Sequence, residues 1–561
     1  MLVAEAVGRT LVALGADRVF GVVGSGNFHV TNALVAAGAP FVAARHEGGA
    51  ATMADAYARV SGRLGVLSVH QGPGLTNAMT GITEAAKSRT PLLVLAAETG
   101  AGAVRSNFRV DQAALATAVG AVAERVHTGA SAVADTVRAV RRATVERRTV
   151  VLNLPLDVQA AALPADSFQA GGPAAGGPEA LAVPSIQPLH QPRPAQPAVL
   201  ALAELLAGAR RPVFIAGRGA RQARLELAAL ADRCGALLAT SAVARGLFAG
   251  NPWSLDVSGG FASPLAAELI GGADAVLAWG CTLSMWTTRH GRLVGPQATV
   301  GQVDLDPDAI GAHQPVDLGV LGEVAQTAAA VHAELAGRGH HADGYRDPAL
   351  AERIAREVRW RDVPYPDGST ADRIDPRTLT IALDDLLPAE RLVAVDSGNF
   401  MGYPSMFLSV PDEQGFCFTQ AFQSIGLGLA TAIGAALARP DRLTVAALGD
   451  GGALMSIAEL DTAVRLRLPL VVVVYDDSAY GAEVHHFGPD GYPLQTVLFP
   501  DTDIAAIGRG FGCAGVTVRR PADLAAMHTW LAGPRDCPLL VDAKVTADRG
   551  SWWLEEAFRG H

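Results

Sequence analysis

Apolar residues in this chain gather into short runs, each about the length of one strand, and the runs alternate with stretches of helical periodicity. Leu443 to Gly449 (LTVAALG) and Pro469 to Asp476 (PLVVVVYD) are almost uninterrupted in Val, Leu and Ala, the pattern of a strand covered on both faces in a parallel sheet. Arg18 to Val23, Leu64 to Val69, Pro91 to Ala96 and Thr149 to Leu154 form a first block of such runs. Arg211 to Ala220, Asp274 to Gly280 and Thr299 to Asp306 form a second. Strands alternating with helices throughout predict an α/β fold of three doubly wound parallel-sheet domains.

Between the first two blocks lies AGGPAAGGPEALAVPSIQPLHQPRPAQP (Ala170 to Pro197), too rich in Pro, Gly and Ala to fold by itself. The expected organisation is a first domain over 1–163, a linker over 164–197 and a central α/β domain over 198–338. A connector that mixes a helix with extended chain follows over the charged stretch 339–375, and a third domain over 376–561.

At 561 residues, half of them hydrophobic, the chain has ample apolar material for several cores. A formal net charge of −10 with no long run of like charge argues against a nucleic-acid or anionic-membrane partner. Small molecules are the default. The opening MLVAEAVGRTLVALGADRVF carries Glu5 and Arg9, so it reads as an amphipathic helix rather than a signal peptide or membrane span. Five scattered cysteines, Cys234, Cys281, Cys417, Cys513 and Cys537, show no Cys-x-x-Cys spacing. They fit buried thiols in a reducing compartment, and a cytoplasmic location is expected.

Chemistry enters at the ends of two strands. Gly449-Asp450-Gly451-Gly452 closes one apolar run and opens a helix, and Asp476-Asp477 closes the next. In an open α/β sheet, ligands bind beyond the carboxyl ends of the strands, so both carboxylates are aimed at one crevice. Backbone N–H groups freed by glycine and a helix N-terminus suit an anion, and two carboxylates suit a hard divalent cation. The ligand this predicts is a diphosphate with Mg²⁺. A lone Gly-Asp-Gly usually marks an ordinary turn; the second acidic pair, one helix and one strand later, lifts it above that reading.

The pattern resembles the thiamine diphosphate enzymes, which carry Gly-Asp-Gly followed at a similar separation by Asn-Asn, with the Asp and the second Asn as metal ligands. The resemblance implies thiamine diphosphate and Mg²⁺ as cofactors, with Asp450, Asp477 and the carbonyl of Ala479 on the metal. Gly449, Gly451, Gly452 and Tyr480 would then lie against the cofactor. Asp476-Asp477 in place of Asn-Asn departs from the family and is expected to add negative charge beside the diphosphate. The resemblance covers nearly the whole chain and implies pyrimidine-binding, central and diphosphate-binding domains in that order.

Thiamine chemistry also requires one well-placed acid outside the diphosphate clamp. Glu47, in RHEGGAATMADAYAR (Arg45 to Arg59), follows a strand and opens a helix of small residues. A Glu there also suits the helix dipole, but the segment is very close to the family's catalytic-glutamate motif, and the resemblance assigns Glu47 that role. VHQGPGLTN (Val69 to Asn77) resembles the Gly-Pro-Gly loop, which implies cofactor contacts at Gly72, Pro73 and Asn77, with Gly24, Ser25 and Asn27 at the first strand's exit. QSIGLGLATAIGA (Gln423 to Ala435) resembles the family segment whose bulky side chain sits under the bent cofactor, and register on Gly426 and Gly428 implies Ile425 in that place. His70 replaces the small residue usual before Gly-Pro-Gly and stands where benzoylformate decarboxylases keep a proton-transferring His. Gln112 aligns with a pocket glutamine of the synthases and lyases.

Within the family the closest pattern is the acetolactate synthase, benzaldehyde lyase and benzoylformate decarboxylase group. The expected reaction is decarboxylation of a 2-oxo acid and/or carboligation through an enamine on the cofactor's C2, acetolactate synthase-like. A benzaldehyde lyase or benzoylformate decarboxylase-type lyase is the alternative, and the substrate is a 2-oxo acid or aldehyde. A homodimer or homotetramer is implied, because the family sets the glutamate of one chain against the diphosphate site of another. A single chain's linkers are not expected to bring those two domains face to face. A non-catalytic regulatory subunit of this fold would be expected to lose the glutamate or the metal ligands, and this chain keeps acidic groups at all three places. GVVGSGNFH (Gly21 to His29) imitates a dinucleotide fingerprint but has His29 at the third glycine, and a dehydrogenase leaves Asp450 and Asp477 unexplained. FAD, held by some acetolactate synthases beside a Gly-Ala-Arg segment, is disfavoured by Thr282 standing at the Arg position in GCTLSMW (Gly280 to Trp286). Two further segments stay open: His485-His486 after the metal loop, and SWWLEEAF (Ser551 to Phe558), which either covers the cleft or anchors the tail through Trp552 and Trp553.

Overall fold

A computed structural model describes residues 1–164, 181–187, 191–547 and 549–557. Most of the Pro- and Gly-rich linker, at 165–180 and 188–190, and the tail from 558 onward lie outside the described residues.

Three six-stranded sheets succeed one another along the chain. The first holds β1 (Val19–Gly21), β2 (Phe41–Ala43), β3 (Gly65–Val69), β4 (Leu92–Glu98), β5 (Val122–Arg125) and β6 (Thr149–Pro155). The second holds β7 (Pro212–Ala216), β8 (Leu237–Thr240), β9 (Ser254–Val257), β10 (Ala275–Trp279), β11 (Thr299–Asp304) and β12 (Leu318–Leu321). The third holds β13 (Arg391–Val395), β14 (Phe416–Phe418), β15 (Leu443–Gly449), β16 (Leu470–Asp476), β17 (Ala514–Val518) and β18 (Leu539–Lys544). All strand pairs in the three sheets are parallel. The central strands explain why: every residue of β16 is buried, and a Val-rich run without a polar face is stable only where helices cover both sides.

The first and third sheets share one topology, β2-β1-β3-β4-β6-β5 and β14-β13-β15-β16-β18-β17. The central sheet differs, running β12-β11-β10-β7-β8-β9. Strand order therefore reverses between β1 and β3, between β7 and β10, and between β13 and β15, and the carboxyl ends at those points open crevices where ligands bind. The central one holds a cavity of about 800 Å³ lined by Arg218, Ser241, Thr282, Trp286 and Asp306 among others.

The two outer domains do meet within one chain, contrary to the expectation from the linkers. Helix Glu47–Ser61 packs against helix Gly428–Ala438 so closely that a Cβ at Gly434 would come within 2.2 Å of the Met53 carbonyl oxygen. Small residues on both helices make that approach feasible, and Met53, Ile82, Leu429 and Ile433 join one continuous apolar core. Polar bonds fix the docking: Glu84 accepts from the backbone N–H of Ala421 (3.1 Å) and Phe422 (2.7 Å), and Arg59 donates to Phe418 O (3.1 Å).

Four of the five cysteines are buried, Cys537 is half-buried, and all five are free thiols. Among the described residues no helix is long and apolar enough to cross a membrane.

Candidate active site

Strand β15 ends at Gly449, and helix Asp450–Met455 begins at once. β16 ends at Asp476, and the chain turns through Asp477 and Ser478, the latter with φ +58°. Asp450 and Asp477 are thereby brought to one rim. Burial, followed by the charges of Asp477 and Asp476, pushes Asp450 up to about 8; burial pushes Asp477 up to about 7. A buried carboxylate and a half-buried one, both held back from ionising, form the arrangement a divalent cation relieves. No group of three or more His, Cys, Asp or Glu side chains able to hold a metal occurs among the described residues. A cation here would complete its shell from the Ala479 carbonyl and ligand oxygens.

The crevice wall has little room for side chains. A Cβ at Gly451 would lie 2.6 Å from the Tyr480 ring, one at Gly452 2.4 Å from Asp396 Oδ2, and one at Gly481 2.4 Å from Asp477 Oδ2. Tyr480 itself is partly exposed and packs edge-on against Phe499 at 4.9 Å.

Asp476 corrects a sequence expectation. Its carboxylate bonds away from the crevice: Oδ2 accepts from Lys544 Nζ at 2.6 Å, and Oδ1 accepts from Ser478 N (3.0 Å) and Oγ (3.1 Å). Arg373 adds bonds to the Asp476 carbonyl (3.0 Å) and to Ser478 Oγ (3.1 Å). The extra charge is matched by Lys544 and serves to shape the loop that projects Asp477, although it still raises Asp450 through space.

At the switch point itself, β13 ends at Val395 and is followed by Asp396, whose buried carboxylate accepts from Gly426 N (3.0 Å) and Leu427 N (3.2 Å). Burial raises it to about 6 despite these donors. The bonds hold the turn that carries half-buried Ile425, where Gly426 has φ +86°.

On the first domain, Glu47 opens its helix, with His46 capping through Nδ1 to Gly48 N at 3.0 Å. Glu47 Oε2 accepts from Asn77 Nδ2 at 3.1 Å. Gly74 separates Glu47 from His70: a Cβ there would lie 3.0 Å from His70 Cβ and 3.6 Å from Glu47 Oε1. His70 Nδ1 faces the Gln71 carbonyl at 2.8 Å. A carbonyl only accepts, so Nδ1 carries a proton, and the tautomer this fixes leaves Nε2 as the ring position for a lone pair. Ser25 Oγ stands 3.4 Å from that nitrogen, the Phe108 ring edge packs on the imidazole at 5.1 Å, and Gly24 leaves space for it. Gly72 turns the loop at φ +64°, and Pro73 starts helix Pro73–Lys87.

Gln112 is a second correction. It is 2 % exposed, its Nε2 donates to Ala97 O (3.0 Å) and Asn153 Oδ1 (2.8 Å), and its Oε1 accepts from Gly72 N (3.1 Å). Both donors are used, so Gln112 fixes the Gly-Pro-Gly loop from behind rather than facing a substrate. Asn27 is likewise buried and bonded to Val22 O, Ser68 Oγ and Gly24 N. Among the described residues no hydrogen bond or ion pair joins Glu47 to Asp450 or Asp477.

Family models for thiamine pyrophosphate enzymes match a part of each of the three domains. The N-terminal binding domain matches residues 1–128, the central domain 199–331 and the C-terminal binding domain 396–543. The chain belongs to the thiamine pyrophosphate enzyme family. Similar proteins include a probable 2-ketoarginine decarboxylase of Pseudomonas aeruginosa, 32% identical over 538 residues, with 93% of this chain and 89% of the relative covered. A sulfoacetaldehyde acetyltransferase of Castellaniella defragrans is 29% identical over 550 residues, covering 93% and 89%. An acetolactate synthase large subunit of Parasynechococcus marenigrum is 26% identical over 555 residues, covering 96% and 86%.

In this thiamine pyrophosphate enzyme, a lyase or transferase, the third sheet's crevice fits the cofactor's diphosphate: it combines a helix start, tightly packed glycines and a carboxylate pair suited to a cation. Several residues that build the crevice escaped the sequence reading. Asp396 and Asn399 could have been found from Asp396-Ser-Gly-Asn at the end of the apolar run Arg391–Val395. Glu459, which accepts from Arg45 N and His46 N at 3.0 Å each and so steadies the approach to Glu47, carries no local signal. Neither does Lys544.

Proposed function

We propose that this enzyme binds thiamine diphosphate with Mg²⁺ and decarboxylates a 2-oxo acid, then protonates the acyl unit or transfers it to a second carbonyl. The observation that carries the reading is the carboxylate pair Asp450 and Asp477 at one strand-end crevice, with Glu47 and His70 together on the other outer domain. Thiamine diphosphate, when bound, would supply a nucleophilic carbon for chemistry at the substrate carbonyl.

Asp450, Asp477 and the Ala479 carbonyl hold Mg²⁺, and Gly449, Gly451 and Gly452 let the backbone close on the diphosphate. Ile425 and Tyr480 support the cofactor's middle. Glu47, oriented by Asn77, holds a proton at Oε1, the oxygen opposite the Asn77 bond. His70 moves a proton through Nε2 to or from the substrate beside Ser25, and Gly24, Gly72 and Pro73 shape that wall. The lone pair on His70 is what favours a lyase of the benzoylformate decarboxylase type as the second reading. Thr282 in the central cavity keeps flavin out of the proposal.

The working unit is proposed to be at least a dimer. Phe28, Val104 and Phe108 on the first domain and Met455, Phe487 and Tyr492 on the third are exposed large apolar groups near the two halves of the site. A partner chain laid over both halves of the site would bury these groups.

The test is turnover. Purified protein with thiamine diphosphate, Mg²⁺ and a panel of 2-oxo acids, including 2-ketoarginine, is combined with aldehydes, including sulfoacetaldehyde, and products are read by mass spectrometry. A decarboxylated or ligated product that requires both cofactors is expected. Cofactor binding without turnover of any pair would defeat the reaction assigned.

A further inference from the structure

Asn399 opens the 3₁₀ turn Asn399–Met401 between β13 and helix Gly402–Phe407, and its orientation is specified by three hydrogen bonds. It is 8 % exposed. Its Oδ1 accepts from Ser551 N at 3.0 Å, and its backbone carbonyl accepts from Ser551 Oγ at 2.7 Å and Trp553 Nε1 at 2.9 Å. A backbone N–H can only donate, so the atom facing Ser551 must be the amide oxygen. The amide nitrogen then points the other way. A Cβ at Gly481 would lie 3.3 Å from Asn399 Nδ2 and 2.4 Å from Asp477 Oδ2, so the NH₂ group borders the metal loop.

The bracket that sets this orientation is itself anchored in other parts of the molecule. Trp553 packs on Trp286 (5.6 Å) and Phe261 (6.5 Å) of the central domain, and only glycine at 402 admits its ring, since a Cβ there would lie 2.1 Å from Trp553 Cδ1. Trp552 packs on Trp360 of the connector at 5.7 Å, with the Arg289 guanidinium 4.2 Å from its ring centre. The tail is therefore a strut between the central domain and the loop of Asn399.

We infer that Ser551 and Trp553 are positioning residues: Ser551 Oγ and Trp553 Nε1 clamp the Asn399 carbonyl and so keep the Ser551 N–H against Asn399 Oδ1, which leaves the amide N–H toward the diphosphate. Released from Ser551, the amide can rotate by half a turn and present its oxygen to an anion, so the same side chain changes from donor to repeller. This rests on the third crevice being the diphosphate site. A purely structural tail would affect folding and leave cofactor affinity alone.

The test measures thiamine diphosphate affinity in the presence of Mg²⁺ by calorimetry, alongside the melting temperature of the cofactor-free protein. Ser551→Ala removes the hydroxyl donor to the Asn399 carbonyl and Trp553→Phe the indole donor to it while keeping an aromatic ring, each loosening the clamp that holds the Ser551 N–H against Oδ1; Ser551→Thr keeps the hydroxyl. Each of the first two is expected to weaken cofactor binding by roughly five- to tenfold, the effect of one hydrogen bond to a charged site's scaffold, with little change in melting temperature. Ser551→Thr should restore wild-type affinity. In an Asn399→Ala background, Ser551→Ala should weaken binding no further. Wild-type affinity in both donor-loss variants, equal loss in Ser551→Thr and Ser551→Ala, or an undiminished Ser551→Ala effect without Asn399 would each overturn the inference. If Trp553→Phe fails to fold, the Ser551 series decides alone. Failure of the wild type to bind the cofactor would instead sink the diphosphate-site reading.

Discussion

Lys544 Nζ and Asp476 Oδ2 lie 2.6 Å apart with both side chains only 2 % exposed, and the same ammonium reaches Asp501 (2.6 Å) and Asp542 (3.2 Å). The pair converts a carboxylate next to the metal loop into part of its scaffold. Removing one partner of a buried pair leaves an uncompensated charge, which costs about 3–5 kcal/mol. Lys544→Met is therefore expected to lower the unfolding free energy by about that amount in denaturant titration. Asp476→Asn added to Lys544→Met should recover part of it. Loss no larger in the single variant than in the double one would contradict the pairing.

The metal ligands should respond unequally to substitution. An amide oxygen still coordinates Mg²⁺ and a methyl group does not, so Asp477→Asn is expected to retain Mg²⁺-dependent cofactor binding while Asp450→Ala abolishes it. Isothermal titration of each variant reads this directly, and the reverse ranking would show the ligands to be wrongly assigned.

Without metal, the same pair makes stability depend on pH with a definite sign. Asp450 at about 8 and Asp477 at about 7 stand above an unfolded carboxylate. Their contribution is full below about pH 4 and is lost as pH rises through 7 and 8. Cofactor-free protein should melt at progressively lower temperature across that window, and Mg²⁺ with thiamine diphosphate should reverse the fall. Asp450→Asn should flatten the profile; an unchanged slope would remove these carboxylates as its source.

Glu47→Gln keeps a side chain that Asn77 can still orient, so fold and cofactor affinity should persist. Turnover is expected to drop by about 10²-fold or more, because an amide cannot hold and return the proton. Near-wild-type exchange of the cofactor's C2 proton in the variant would refute the role.

His70→Ala should lower kcat far more than it raises KM, since Nε2 is read as a proton carrier and not as a binding contact. A variant with lower thermal stability but unaltered turnover per folded molecule would make His70 a packing residue for Phe108.

The strands were legible wherever burial on both faces forced continuous apolar runs, as in β15 and β16. Short edge strands such as β2 and β14, each of three residues, leave too little pattern to read. Asp450 and Asp477 announced themselves because glycine and paired acids interrupt those runs. Gln112 misled because local motif similarity fixes a residue's position in the chain and says nothing of which way its amide turns. Glu459 and Lys544 stayed hidden for a related reason: their partners are remote in the chain, and nothing beside them in the sequence marks a charged group inside a core.

The all-parallel pairing of the three sheets also bears on how the chain reaches this state. Parallel neighbours are joined by crossovers rather than tight hairpins, so each pairing must wait for a distant segment and folding is slow. In the third sheet β18 inserts between β16 and β17 although it follows both in sequence. Until Leu539–Lys544 arrives, the valine run of β16 keeps one ladder edge open. Edges of this kind recruit other chains during synthesis, and slow production at low temperature, with chaperones abundant, is the condition under which this enzyme should be recovered in greatest yield.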